Sequence, residues 1–178
     1  MRKIFSLLIV FGFFALRADA QNNAQPQVQQ IQAEPEKPYM KDPILPSFNI
    51  LKMDSITVFN TDKIPKGKKT GIMFFDPHCS HCINFTKVLL AGMDSVKDVQ
   101  FYMITSSHEM TALRDFYKEY NLSKYKNIKV VGRDMDFFFI NHYGLNHFPG
   151  VVLYDEHKKF IKFFQGEITV KDIYISIH

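Results

Sequence analysis

The sequence predicts an α/β fold in which a central mixed β-sheet is flanked by helices. Three observations carry this. Predicted strands alternate with predicted helices from about residue 47 to the end of the chain, and such alternation places helices on both faces of one sheet. The run Gly71-Ile72-Met73-Phe74-Phe75 is continuously apolar and bounded by turn residues, as suits a central strand buried on both faces. Val151–Tyr154 and Phe160–Phe164 read as two strands with the turn residues Asp155-Glu156-His157 between them, which implies an antiparallel edge.

The elements follow in order. Arg2 and Lys3 form a short basic region, Ile4–Leu16 is an apolar run, and Ala18-Asp19-Ala20 offers small residues at a cleavage site. This is the pattern of a secretory signal peptide over residues 1–20, cut after Ala20. The apolar run covers 13 residues, whereas a spanning helix needs roughly 20. No Cys follows it, which argues against a lipid-anchored lipoprotein. Residues 21–46 are rich in Gln and Pro with few large apolar residues, and are expected to be an extended linker. Residues 47–178 are then the folded domain.

Within that domain Phe48–Leu51 and Ser55–Phe59 are expected to form an N-terminal β-hairpin. Pro65–Lys69 is a polar turn before the Gly71–Phe75 strand. A helix is expected to start at the cysteine motif and run through Phe85, Val88 and Leu89 towards Gly92. Val99–Thr105 is the next strand. Ser106 and Glu109 have capping-box spacing, so a helix is expected from there to about Tyr120. Asn127–Val131 is a short strand, and Asp134 is placed to cap a short helix carrying Phe137, Phe138 and Ile140. After the two closing strands, Thr169 and Asp172 again have capping-box spacing, ahead of a C-terminal helix.

Composition supports a globular domain with an aromatic core: 46% of the residues are hydrophobic and 18 are Phe. Removing residues 1–20 takes three of the 22 Lys and Arg and one of the 18 Asp and Glu, leaving 19 and 17 and a formal charge of +2. No basic block with interleaved aromatics is present, so nucleic-acid binding has no support.

The only two cysteines are Cys79 and Cys82. Export places them where disulfides form and persist. A C-x-x-C loop is too short to constrain the unfolded chain much, so the pair is better explained by chemistry than by stability. The stretch Phe74-Phe75-Asp76-Pro77-His78-Cys79-Ser80-His81-Cys82 puts the dithiol at the start of a helix, just after a buried strand. The unpaired N–H groups and the dipole of a helix N-terminus favour a thiolate there. Cys79 can then attack a substrate disulfide, and Cys82, one turn on and more buried, can resolve the mixed disulfide. His78 and His81 flank Cys79, where a cationic imidazole would stabilise its thiolate. The redox-active Cys79–Cys82 disulfide requires no further cofactor. A second landmark is His147-Phe148-Pro149-Gly150, directly ahead of the Val151–Tyr154 strand.

The C-x-x-C after a strand, Tyr143-Gly144-Leu145, Pro149 before a strand and the closing β-β-α unit resemble the thioredoxin-like superfamily over about residues 47–178. The resemblance implies that Pro149 is cis, packs on the cysteine motif and, with Phe148, shapes a substrate groove. Cys82 and Pro149 are 67 positions apart, longer than in thioredoxin itself. The excess matches an extra β-α insertion over Asn127–His142. Together with the N-terminal hairpin, that is similar to the TlpA/ResA-like branch of exported thiol–disulfide oxidoreductases. The branch implies a reductase of disulfide-bearing protein substrates, fed by a membrane electron donor, in the periplasm if the cell has an outer membrane. His81 beside Cys82 resembles instead the C-P-H-C of DsbA-type oxidases. Met73 stands where thioredoxin carries a buried Asp, and Phe148 where it carries Thr.

Two other chemistries draw on the same residues. Cys79, Cys82, His78 and His81 are soft and borderline donors suited to Cu(I) or Zn, and His142 and His147 could join them if the fold brought them near Cys79. The metal carriers of this fold resemble C-x-x-x-C rather than C-x-x-C. A peroxidase would need Thr or Ser three residues before its reactive Cys, and Asp76 stands there.

Overall fold

The structure, a computed structural model, describes residues 37–178. The expected signal peptide and most of the expected linker therefore lie outside the described residues. Among the described residues seven strands form one mixed sheet: β1 (Asn49–Lys52), β2 (Val58–Asn60), β3 (Lys69–Phe74), β4 (Val99–Thr105), β5 (Ile128–Arg133), β6 (Gly150–Tyr154) and β7 (Phe160–Gln165). Their spatial order is β2-β1-β5-β4-β3-β6-β7. The neighbours of β4, β3 and β5, run parallel to it, while β1–β2, β1–β5, β3–β6 and β6–β7 are antiparallel. The hairpin, the inserted strand and the antiparallel edge all stand where the sequence pattern places them.

Among the described residues five α-helices accompany the sheet: α1 (Pro38–Lys41), α2 (Ser80–Ala91), α3 (Met110–Glu119), α4 (Phe138–Tyr143) and α5 (Val170–Ile177). Alternation along the strands sends side chains to two separate cores. Met73, Met103 and Val151 join Leu89 of α2, Leu113 and Phe116 of α3, and Ile173 of α5 on one face. Ile72, Phe74 and Val152 join Tyr39 of α1 and Phe139 and Tyr143 of α4 on the other. β3 lies between β4 and β6 and is buried from Thr70 to Phe74, so the chain leaves the middle of the sheet at the cysteine motif.

Two boundaries differ from the sequence expectation. The domain reaches further towards the N-terminus than residue 47. Tyr39 is buried, Leu45 is buried, and Ile44 bridges to Lys159 at the edge of the sheet. Here a single aromatic in a Gln- and Pro-rich stretch finds an aromatic pocket that local composition does not disclose. α3 also starts later than the Ser106–Glu109 spacing suggests. Ser107 N–H donates to Thr105 Oγ1 at 3.1 Å, and Glu109 N–H donates to Ser107 Oγ at 3.2 Å. These local side-chain bonds compete with the helix and hold residues 105–109 as a turn. Glu109 becomes the residue preceding the helix, with its carboxylate free to point elsewhere. The other capping box forms as expected: Thr169 accepts from Asp172 N–H at 3.1 Å, and Asp172 accepts from Thr169 N–H at 2.9 Å. Asp134 also serves its helix, accepting from Phe139 N–H at 2.8 Å.

Candidate active site

β3 delivers Phe75 and Asp76 to the end of the sheet, and the chain then turns into α2. Asp76 builds that turn. Its Oδ1 accepts from His78 N–H at 2.7 Å and its carbonyl accepts from Cys79 N–H at 3.1 Å. Cys79 has extended backbone angles and occupies the N-cap position of α2. The first-turn N–H groups of a helix have no helical acceptors and carry the positive end of its dipole, so α2 presents this field where Cys79 stands.

Cys79 is half-buried, and Cys82 is fully buried at 0% exposure. Both are free thiols. Cys82 sits in the core beside Phe75 and Phe85 and receives a bond from Asp76 N–H at 3.5 Å. Burial pushes the Cys82 thiol well above its ordinary range. The negative charge of Asp76 and the neighbouring Cys79 add to the rise, while the Asp76 N–H opposes it. The pair is thus unequal: one thiol is reachable, and the other is held protonated in the protein interior.

The loop between α4 and β6 faces this pair. β6 pairs with β3 so that Gly150 stands opposite Phe74. That register sets Pro149 beside Phe75 at the root of the cysteine turn. The Phe148–Pro149 peptide is cis, and Pro149 is buried. Phe148 is 37% exposed, and its ring lies 5.6 Å from that of Phe74. An open groove of about 560 Å³ separates the loop from the dithiol, lined by Cys79, His81, Asn146, His147, Phe148 and Gln165–Glu167.

The two flanking histidines part company. His81 lines that groove. His78 lies on the other side and pairs with Glu109 at 3.2 Å. Both partners of that pair are largely exposed, so its energetic weight is small, about 0–1 kcal/mol. His142 is not brought to the cysteines. Its ring stacks on Phe138 at 4.9 Å and meets Tyr143 and Tyr39. Among the described residues no three His, Cys, Asp or Glu side chains converge as a metal site.

Two residues, Gln165 and Glu109, carried no sequence signal for their place in the site. Gln165 reaches the groove only through the β6–β7 register, and Glu109 reaches His78 only because α3 starts late. Asp76 could have been read, since Asp-Pro-His is a turn-forming sequence.

No family model and no curated protein sequence matches the chain. Solved structures do. A secreted disulfide oxidoreductase of Mycobacterium tuberculosis, homologous to DsbE of E. coli, aligns with a TM-score of 0.59 at 18% identity, covering 72% of this chain and 92% of that one. The thioredoxin domain of a thiol–disulfide oxidoreductase from Bacteroides vulgatus aligns at 0.59 and 17%, over 75% and 91% of the two chains. StoA from Bacillus subtilis aligns at 0.55 and 16%, over 75% and 98%. With the sheet order and the placement of β5 and α4, these matches establish that the chain has the fold of the thioredoxin-like superfamily.

Proposed function

We propose that this protein is an exported thiol–disulfide oxidoreductase that reduces disulfides in protein substrates through Cys79 and Cys82. The observation that carries the reading is the unequal dithiol at the head of α2. A half-exposed Cys79 faces an open groove, and a fully buried Cys82 lies one turn behind it. A structural disulfide or a metal site has no need of that asymmetry, whereas a two-step exchange does.

In the first step the Cys79 thiolate attacks one sulfur of a substrate disulfide. An S–S bond forms between Cys79 and the substrate, the substrate S–S bond breaks, and the second substrate sulfur leaves as a thiolate. In the second step Cys82 gives up its proton and attacks the Cys79 sulfur. The Cys79–Cys82 disulfide forms, and the other substrate thiolate departs. The substrate has gained two electrons and, once its sulfurs are protonated, two thiols. The protein has lost two electrons, and an external dithiol must return them. A membrane-borne donor fits an exported reductase. The N-terminal signal pattern supports export, as does the secreted character of the Mycobacterium tuberculosis relative in fold. Phe148 and Pro149 form the wall against which the substrate chain lies, and His81 is placed to act on Cys79 from the groove side.

The test is the reduction potential of residues 21–178, measured metal-free in dithiothreitol and glutathione buffers with free thiols counted by alkylation and mass. A reversible two-electron couple near or below about −250 mV is expected for a reductase. A value near about −120 mV would make the protein an oxidase, and stoichiometric copper or zinc binding without a couple would overturn the exchange reading. Cys79→Ser is expected to abolish turnover. Cys82→Ser is expected to leave the first step intact and accumulate mixed disulfides, visible as dithiothreitol-sensitive adducts on a non-reducing gel.

A further inference from the structure

The loop that faces Cys79 is held by one side chain from the neighbouring strand. Asn146, His147 and Phe148 are consecutive exposed residues outside any helix or strand, so no ladder fixes their backbone. Gln165 stands at the end of β7, paired in register with Gly150. Its Oε1 accepts from Asn146 N–H at 2.8 Å and from His147 N–H at 3.3 Å. An amide oxygen has two lone pairs and can take both donors, while the amide nitrogen can take neither, so the two backbone N–H groups themselves orient the Gln165 amide. The next residue completes the attachment: Gly166 N–H donates to the carbonyl of Pro149 at 2.9 Å. Gly166 has φ +77°, and a Cβ there would lie 3.4 Å from the Cβ of His147. Strand β7 is therefore joined to both sides of Phe148, through a side chain before it and through the backbone after it.

We propose that Gln165 is a positioning residue for substrate binding, which fixes the Asn146–Phe148 backbone and so sets the width of the groove opposite Cys79. This rests on the exchange function proposed above and adds to it the group that shapes the site. A groove wall that is already ordered costs less to bind against, and small misplacements of a substrate cost large factors in rate. The hydrogen bonds of the Gln165 side chain go to the loop and not to a thiol, so its effect belongs to the binding of large substrates and not to the redox couple.

The test compares Gln165→Met, unbranched and without the amide acceptor, with Gln165→Glu, which keeps an acceptor oxygen at the same place. Insulin serves as the protein disulfide, oxidised glutathione as a disulfide with no protein chain to lie along the loop, and dithiothreitol as the returning dithiol. Q165M is expected to raise the KM for insulin by about tenfold, as follows from losing bonds of ordinary strength at the loop. Its KM for glutathione and its reduction potential should stay at wild-type values, and Q165E should restore the insulin KM. Independently of turnover, amide hydrogen exchange at Asn146 and His147 should quicken in Q165M and not in Q165E. Unchanged exchange at those two amides, or an unchanged insulin KM, overturns the proposal. So does a shift of the potential, because the residue would then act through the cysteines. A wild-type protein with no reversible couple overturns the exchange reading and this proposal with it. A normal wild-type couple beside an unaffected Q165M overturns this proposal alone.

Discussion

Asp76 acts on the dithiol with two opposed effects. Its N–H donates to Cys82 Sγ at 3.5 Å, which favours the thiolate, and its carboxylate charge disfavours it. Burial is the larger influence and also disfavours the thiolate. Resolution of a mixed disulfide requires Cys82 to lose its proton, so each of these effects bears on the second step. Asp76→Asn removes the charge, keeps the N–H, and keeps an acceptor for His78 N–H. The Cys82 thiol is then expected to ionise at lower pH. Alkylation of Cys82 across a pH series in a Cys79→Ser background reads this directly, and an unmoved midpoint would show that the Asp76 charge does not reach the sulfur. At this scale the unequal placement of the two cysteines was legible in the sequence, because their spacing and the strand before them put them at the start of a helix. Gln165 and Glu109 were not, because what they touch is decided by strand register and by where a helix begins.

The hairpin of β1 and β2 is attached to the sheet through a short contact, with Leu51 opposite Arg133 and Lys52 opposite Gly132 on β5. Gly132 makes that approach possible. A Cβ there would lie 2.5 Å from Ile50 Cγ2 and 2.5 Å from the Leu51 carbonyl oxygen. A side-chain tip could yield, but a paired strand backbone yields only by moving the hairpin. Gly132→Ala is therefore expected to cost about 1–3 kcal/mol, as overpacking does. Denaturant unfolding should show this as a lower midpoint. Elements were largely legible because apolar runs and turn residues are local signals. Val99–Thr105 stands where it was expected, and the Thr169–Asp172 box forms. The failure at Ser106 has a physical origin: a Ser two residues before Glu109 bonded its backbone first, and sequence spacing does not reveal which of two local bonds wins.

At the scale of the whole molecule, the N-terminal arm closes the second core. Tyr39 is 5% exposed, with ring centroids 5.5 Å from Tyr143, 5.0 Å from Phe160 and 6.0 Å from Phe163. Tyr39→Ala is expected to cost about 3 kcal/mol, the scale of a large aromatic lost from a packed site. A chain starting at Ser47 should likewise unfold at lower denaturant than one starting at Lys37. The same arm makes the core sensitive to pH through His142, which packs against Tyr39, Phe138 and Tyr143 with its Nε2 buried and unpartnered. Burial lowers the His142 pKa below its ordinary 6.5, and the charge of Asp42 on the arm works in the other direction without reversing the shift. A proton that binds the unfolded chain more readily than the folded one draws the equilibrium towards unfolding. The contribution of His142 is therefore fully present above the unfolded value near 6.5 and is lost as pH falls towards the lower folded value. His142→Phe keeps an aromatic ring for Phe138 and Tyr143 and cannot take a proton. Between about pH 7 and about pH 5 the wild type should lose more stability than H142F, measured as the difference in unfolding free energy at each pH. Parallel loss in both proteins would place the pH dependence elsewhere. Loss in the wild type alone, accompanied by faster proteolysis near Lys37–Lys41, would show that the arm is released when the histidine is charged.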